Sequence, residues 1–186
     1  MDSIVLSGKR ELDIFVNPQR QNLLRCMKIA GIPMTPKQLA DRMGISPSSV
    51  QHHIKKLMEL GLVELSHTQL IHGITASYYR ASSKSISIGL MMGEEHRGQR
   101  LALMQAALSR TFSGYAAYCE RSTAEAAQGQ QVGDMLSGIL HLGREEAREL
   151  FALIRTFLDE HEQKGNSSEA WEYALIAYPV SEGQDG

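Results

Sequence analysis

The fold of this chain is decided by residues 39–63, which read LADRMGISPSSVQHHIKKLMELGLV. The stretch contains two helical patterns joined at Gly44-Ile45-Ser46. The glycine ends the first helix, because a tight exit needs a residue that tolerates positive φ. Ser46 then caps the second helix and Pro47 is its first residue. Ala40 is small where the two helices must cross, so this spacing predicts a helix-turn-helix.

The same local signals mark the helices on either side of this joint. One helix is predicted from Asn17-Pro18 to Gly31, and the next begins at Thr35-Pro36 and ends at Gly44. A capping side chain followed by proline is favoured at a helix start, and glycine is favoured just beyond its end. The third helix is predicted to end near Leu60, before a further glycine. Ahead of these helices, residues 1–17 are predicted only to hold a short apolar segment.

Two strand-like runs follow the three helices. Residues 62–70 form the first, and residues 74–80, rich in β-branched and aromatic side chains, form the second. His72-Gly73 lies between them, and a glycine-centred turn between two such runs is typical of a β-hairpin.

The third predicted helix has an apolar side and a polar side. At about 100° per residue, the apolar side carries Val50, Ile54, Leu57, Met58 and Leu60. The polar side and its flanks carry Ser48, His52, Lys55 and Glu59, with Ser49, Gln51 and Lys56 at the edges. Gln pairs bidentately with adenine, Ser adapts to several base edges, and His and Lys favour guanine or phosphate. The pattern therefore favours DNA binding, although a solvated surface helix also shows polar groups.

This stretch resembles the helix-turn-helix of the ArsR-type winged-helix regulators. The recognition helix of that family commonly carries a Ser-X-His-Leu-Lys-Lys-Leu-like run and passes through Gly-Leu-Val into the wing. Here Gln51-His52-His53-Ile54-Lys55-Lys56-Leu57 stands in that place, and residues 73–80, GITASYYR, are similar to the return strand of the wing. The resemblance covers residues 18–80. A more diffuse similarity to the accessory region of some members extends over residues 136–180, through the run LHLGREEA.

The resemblance implies a winged helix, a symmetric dimer and a palindromic operator in double-stranded DNA. The wing tip, from His67 to His72, would lie along the phosphates or the minor groove. Several members sense metals, through paired cysteines near the third helix or through ligands in terminal helices. This sequence departs from them, because its two cysteines, Cys26 and Cys119, lack a ligand spacing. We expect no metal site and no cofactor, with a metal sensor as an alternative.

The predicted DNA-binding residues lie on the second helix, on the third helix and in the wing. The N-terminal residues of a recognition helix face the bases, so the lysines further along are expected at the backbone. His53 is on the core-facing side and is expected to pack there. The full predicted set is Thr35, Lys37, Ser46, Ser48, Ser49, Gln51, His52, Lys55, Lys56, His67 and His72.

The remainder of the chain predicts a mainly helical region. Residues 82–93 are predicted to be a linker or a short strand, and helices are predicted over residues 94–120 and 144–164. Their apolar stripes supply more apolar surface than a lone winged helix uses. That surface is buried either in a homodimer interface or in a packed core within the chain.

Two C-terminal strands are predicted, at residues 135–142 and 171–180. The fold class is therefore α+β and mainly helical, with a winged helix-turn-helix followed by a helical C-terminal region that has one or two short strands. The predicted divisions are a DNA-binding domain at 1–81, a linker at 82–93, a dimerisation or regulatory region at 94–180 and a disordered tail at 181–186.

Charge and composition exclude several classes of protein. Residues 1–80 carry ten Lys and Arg against six Asp and Glu, whereas residues 81–186 carry nine against fifteen. A basic front half fits a chain that presents one end to a polyanion. No apolar run approaches the length of a membrane span, and two cysteines in different predicted helices fit a reducing cytoplasm. Glu145 and Glu146 are explained by the dipole of a helix start, so no catalytic residue is predicted.

The sequence thus predicts a homodimeric, sequence-specific regulator in the cytoplasm, with an unknown effector and no membrane partner. One alternative is a winged helix that serves only as a protein-interaction module. An enzyme in the C-terminal half is a further alternative, which would need a pocket with converging ionisable groups.

Overall fold

The computed structural model describes residues 4–6, 8–84, 86–87, 96–122, 133–162 and 169–180. The fold is α+β and mainly helical. In chain order the elements are β1 (Ile4–Val5), α1 (Lys9–Val16), α2 (Pro18–Ala30), α3 (Pro36–Met43), α4 (Pro47–Glu59), β2 (Val63–Ile71), β3 (Ile74–Ala81), β4 (Ile86–Ser87), α5 (Arg97–Ser122) and α6 (Arg144–Glu160). Helices α2, α3 and α4 followed by the β2–β3 hairpin form a winged helix-turn-helix.

The predicted helix boundaries at α2, α3 and α4 are confirmed by the capping hydrogen bonds. The Asn17 side chain accepts from the amides of Gln19 and Arg20 at the start of α2. Thr35 and Ser46 cap α3 and α4 in the same way. Gly44 has φ +66°, a conformation that side chains with a Cβ rarely adopt, and it makes the turn between the two helices.

The core of the winged helix lies between α2, α3 and α4. Its fully buried side chains are Leu23, Leu39, Val50, Ile54 and Leu57. They lie at helical spacing on the inner faces of the three helices, as the apolar periodicity predicted. Met58, which the wheel placed on the same side of α4, is instead exposed, so the buried stripe is narrower than predicted.

Strands β2 and β3 form an antiparallel hairpin as predicted. Leu65 pairs with Tyr79 and His67 with Tyr78, so Ser66 is an extra residue that forms a β-bulge. His72 and Gly73 connect the strands with φ of 48° and 81°. Two consecutive positive φ angles define the type I′ turn that favours tight hairpins.

The N-terminal segment contains a helix that the sequence did not reveal. Helix α1 precedes the predicted helices, and β1 pairs in parallel with β4 through Ile4 and Ile86. The short strand left open for residues 82–93 is thus present at β4, and residues 88–93 lie outside the described parts. Arg100, only 1% exposed, donates from Nη2 to the backbone oxygen of Leu6 at 2.6 Å.

The chain divides into two compact units. The first comprises Met1–Arg100 with Leu140–Ala170, and the second comprises Leu101–Ile139 with Trp171–Gly186. The predicted boundaries at residues 81 and 93 remain predictions.

The predicted C-terminal helices are present and the predicted C-terminal strands are not. Helix α5 runs from Arg97 to Ser122 and α6 from Arg144 to Glu160, whereas the predicted ends at 94–95 and 163–164 lie outside the described residues. The strand predictions at 135–142 and 171–180 are wrong for the single chain, because these segments form no ladder and their large apolar side chains are exposed. A strand needs a partner for its backbone groups, and apolar content alone does not provide one. The predicted disordered tail, residues 181–186, also lies outside the described parts.

No helix in the described part of the chain is both long enough and apolar enough to cross a membrane.

Candidate nucleic-acid interface

Helix α4 presents four exposed polar side chains along one surface, here called the polar face: Ser48, Gln51, His52 and Lys55. The capping residue Ser46 holds the start of this helix, since its hydroxyl accepts from the Ser49 amide at 3.2 Å. The same hydroxyl lies 3.0 Å from that of Ser48. The free amides and the positive dipole end of a helix N-terminus favour a nearby phosphate. The predicted DNA-binding residues from Ser46 to Lys55 therefore lie on one helix, whose start is fixed by a capping hydrogen bond.

The opposite side of α4 anchors it in the core. Val50, Ile54 and Leu57 are buried there, and so is His53, with 9% of its surface exposed. The Nε2 atom of His53 lies 3.5 Å from the Ser49 hydroxyl. Burial, the charge of Arg20 and the charge of His52, in that order, lower the pKa of His53. The neutral imidazole is therefore favoured at neutral pH, and its predicted packing role is confirmed.

The two lysines of α4 have different surroundings. Lys56 lies at the flank and donates to Glu59 at 2.8 Å, and Arg10 of α1 binds the same carboxylate at 2.9 Å. The hydrogen bonds from Lys56 and then Arg10 lower the pKa of Glu59. Lys55 is exposed on the polar face and has no ion pair within the described residues. Only one of the two predicted lysines thus projects an uncompensated charge beside Gln51 and His52.

The start of α3 lies next to α4 in the helix-turn-helix. Thr35 and Gln38 form a capping box, in which the Gln38 side chain accepts from the Thr35 amide at 2.8 Å. Lys37 is exposed and forms an ion pair with Asp41 one turn along. Exposed pairs of this kind contribute little to stability.

Comparison with known proteins supports the helix-turn-helix. Residues 15–66 match the family model described as a helix-turn-helix domain. The matched range includes α2, α3 and α4 and ends within β2.

One similar solved structure is described as a possible transcriptional regulator from Methanosarcina mazei Go1. It is 15% identical, covers 56% of this chain and 81% of its own, and has a TM-score of 0.34. A likeness at this level carries no argument about function. None of the curated proteins compared matches the chain.

The wing carries histidine but no side chain with a permanent charge over residues 65–79. The ring of His67 stacks on that of Tyr78, with centroids 4.5 Å apart and planes 9° from parallel. The Ser66 hydroxyl lies 3.2 Å from His67 Nδ1. His72 is in the turn at the tip, so the structure separates the two predicted histidines along the hairpin.

Sequence reasoning missed the cations that α1 brings to α4. Lys9 and Arg10 of α1, Arg20 of α2 and Lys56 of α4 line one open cleft. The signal available in the sequence was the charge of these residues, but their meeting depends on the tertiary position of α1. Within the described residues, no group of three His, Cys, Asp or Glu side chains is placed to hold a metal ion.

Proposed function

We propose that this protein is a sequence-specific DNA-binding transcriptional regulator of the ArsR type. The observation that carries the proposal is the capped helix α4, whose exposed Ser48, Gln51, His52 and Lys55 stand clear of the core beside a β-hairpin. An α-helix fits the major groove, where amide, hydroxyl, imidazole and ammonium groups match base edges and phosphates. Residues 1–81 would supply DNA binding, with Thr35, Lys37, Ser46, Ser49, Lys56, His67 and His72 around the polar face.

We also propose that the protein binds a palindromic operator as a homodimer. Helix α5 exposes large apolar side chains at Leu101, Leu108 and Phe112, and this spacing places them on one stripe of the helix. An exposed apolar stripe on a long helix is stabilised when a second copy covers it, and two-fold symmetry is the commonest outcome. Residues 94–180 would then dimerise and respond to an effector. We place the protein in the cytoplasm, in accord with free thiols at Cys26 and Cys119.

The alternative function is a protein-interaction module without specific DNA binding. One observation favours it: the wing exposes Leu70 and Ile74 and offers no lysine or arginine at its tip. A wing that follows the DNA backbone commonly uses such cations, because phosphate contacts dominate affinity.

Selection from a pool of random duplex DNA at two salt concentrations distinguishes these functions. A regulator enriches a two-fold symmetric site, and Gln51→Ala or His52→Ala weakens binding to that site by about tenfold, as expected for one lost base contact. The matched control is Gln19→Ala, which removes an exposed amide from α2, outside the proposed interface. Weak binding without sequence preference, abolished by modest salt, would support the interaction module instead.

A further inference from the structure

A basic cleft lies beside α4, on a different side of the helix from Gln51 and Lys55. It is lined by α1, the first turn of α2 and the last turns of α4, through Lys9, Arg10, Asp13, Ile14, Arg20 and Lys56. Its volume is about 470 Å³, and it is broadly open to solvent. The cleft is thus large enough for a small ligand and lies within the first unit of the chain.

The charges that surround the cleft do not balance. Four cations line it together with the carboxylate of Asp13, and Glu59 pairs with two of these cations from the rim. The resulting net charge is +2, if all of these groups are ionised. Lys9 and Arg20 have no ion pair within the described parts of the chain. Like charges brought together without counter-charges destabilise a fold, so an arrangement of this kind gains from a bound anion.

Two buried nitrogens in this region also have no hydrogen-bond partner among the described residues. They are Nε of Arg20, which lines the cleft, and Nδ1 of His53, whose ring feels the charge of Arg20. Both atoms are shielded from solvent, so they are not themselves contacts for a ligand. The guanidinium presents its donors in a fork that matches the oxygens of a phosphate. Because Arg20 lines the cleft and is half-buried, the rest of its guanidinium supplies directional donors as well as positive charge.

We propose that this cleft binds a small ligand that carries a phosphate monoester. Such a group has a charge of about −1.5 to −2 at neutral pH, which matches the net charge of the cleft. Arg20 binds the phosphate oxygens, Lys9 supplies a second cation, and the apolar side chain of Ile14 contacts the organic part of the ligand.

The cleft is also placed to influence α4. The charge of Arg20 acts on His53, and His53 contacts Ser49, whose amide is bound by the cap of the helix. An anion at Arg20 would thus alter the electrostatic field at His53, near the start of α4. The resulting regulatory role rests on the proposed function, whereas phosphate binding itself does not.

Binding is tested without DNA, with inorganic phosphate as the probe on the full-length protein. Titration calorimetry and thermal unfolding in phosphate are compared with chloride at equal ionic strength. We expect phosphate to bind and raise the Tm, and Arg20→Gln and Lys9→Gln each to weaken binding by about tenfold. Arg42→Gln, which removes an exposed cation outside the cleft, should retain the affinity. Lys9 is exposed, so its replacement tests the site even if Arg20→Gln is poorly folded.

Equal effects of phosphate on the wild type, Lys9→Gln and Arg42→Gln would overturn the proposal, since no cleft site would then exist. A second arm measures DNA binding of Arg20→Gln without phosphate. If the affinity and its salt dependence fall as for one lost backbone contact, the cleft belongs to the DNA interface and the proposal is also overturned. A protein that binds phosphate in the cleft but selects no DNA sequence would support this site and contradict only the proposed function.

Discussion

Met34 and Tyr79 form a reciprocal backbone pair that fixes the wing to the helix-turn-helix. The amide of each residue donates to the carbonyl of the other at 2.9 Å, and Met34 is buried. Met34 directly precedes Thr35, the cap of α3, and Tyr79 lies in β3. The base of the hairpin is therefore held at the start of α3, while its tip extends away from the pair.

This pair predicts a gradient of amide exchange along the hairpin. The amides of Met34 and Tyr79 should exchange slowly, because both are hydrogen-bonded and one belongs to a buried residue. The amides of Ile71 and Ile74, which form the last pair before the turn, should exchange faster because the strand ends fray. Hydrogen–deuterium exchange followed by NMR measures both. Equal rates at the base and the tip would show that the pair does not hold the wing.

The cap of α4 predicts that replacing two nearby serines, Ser46 and Ser48, lowers the stability of the protein by different amounts. Ser46→Ala removes the acceptor of the Ser49 amide and should lower the free energy of unfolding by about 1 kcal/mol. Ser48→Ala is the matched control, since the Ser48 hydroxyl is exposed and caps no amide in the described structure, and it should change stability by less than about 0.5 kcal/mol. Urea unfolding curves measure both. Equal losses from the two variants would contradict the assigned cap.

His53 predicts that the protein loses stability on acidification. Burial, then Arg20, then His52 lower its pKa below the ordinary value of 6.5, so the unfolded chain binds a proton more readily than the folded one. Stability therefore falls as the pH falls through about 6.5, and it levels off below the folded-state pKa. Unfolding curves between pH 8 and pH 5 should show this fall.

The variant His53→Gln should lose this component of the pH dependence, because Gln does not titrate. His52→Gln is the control, since His52 is exposed, and it should keep most of the dependence. A profile for His53→Gln that is as steep as the wild-type profile would assign the pH dependence to other groups.

The difference between what could and could not be predicted has a physical origin. The boundaries of α2, α3 and α4 followed from local chemistry, because Asn17, Thr35 and Ser46 each precede a proline and satisfy nearby amides. The polar face followed from the periodicity of α4. Neither α1 nor the basic cleft could be predicted in this way, since the residue that precedes α1 is Gly8, which has no side chain to cap the helix, and the cleft depends on the tertiary position of α1.

The predictions of the C-terminal strands were wrong for a related reason. Residues 171–180 have the composition of a strand, but composition does not specify which backbone would pair with it. In the single chain, large side chains such as Trp171, Ile176 and Tyr178 stay exposed. Local patterns thus identified the helices, whose backbone groups form hydrogen bonds within the element and its cap. They wrongly predicted strands, whose backbone groups need a partner strand.

The unequal surroundings of Lys55 and Lys56 predict unequal contributions to DNA binding, if the proposed function holds. Lys55→Gln should weaken binding to any duplex and reduce the slope of log affinity against log salt by about 1, as expected for one phosphate contact. Lys56→Gln should reduce the slope by less, because Glu59 already neutralises part of its charge. Lys28→Gln, on α2 outside the proposed interface, is the control for loss of one lysine charge; Lys28 is paired with Glu162, and its replacement should leave the slope unchanged. Fluorescence anisotropy over a range of salt concentrations measures all three. Equal slopes for the Lys55 and Lys28 variants would remove Lys55 from the interface.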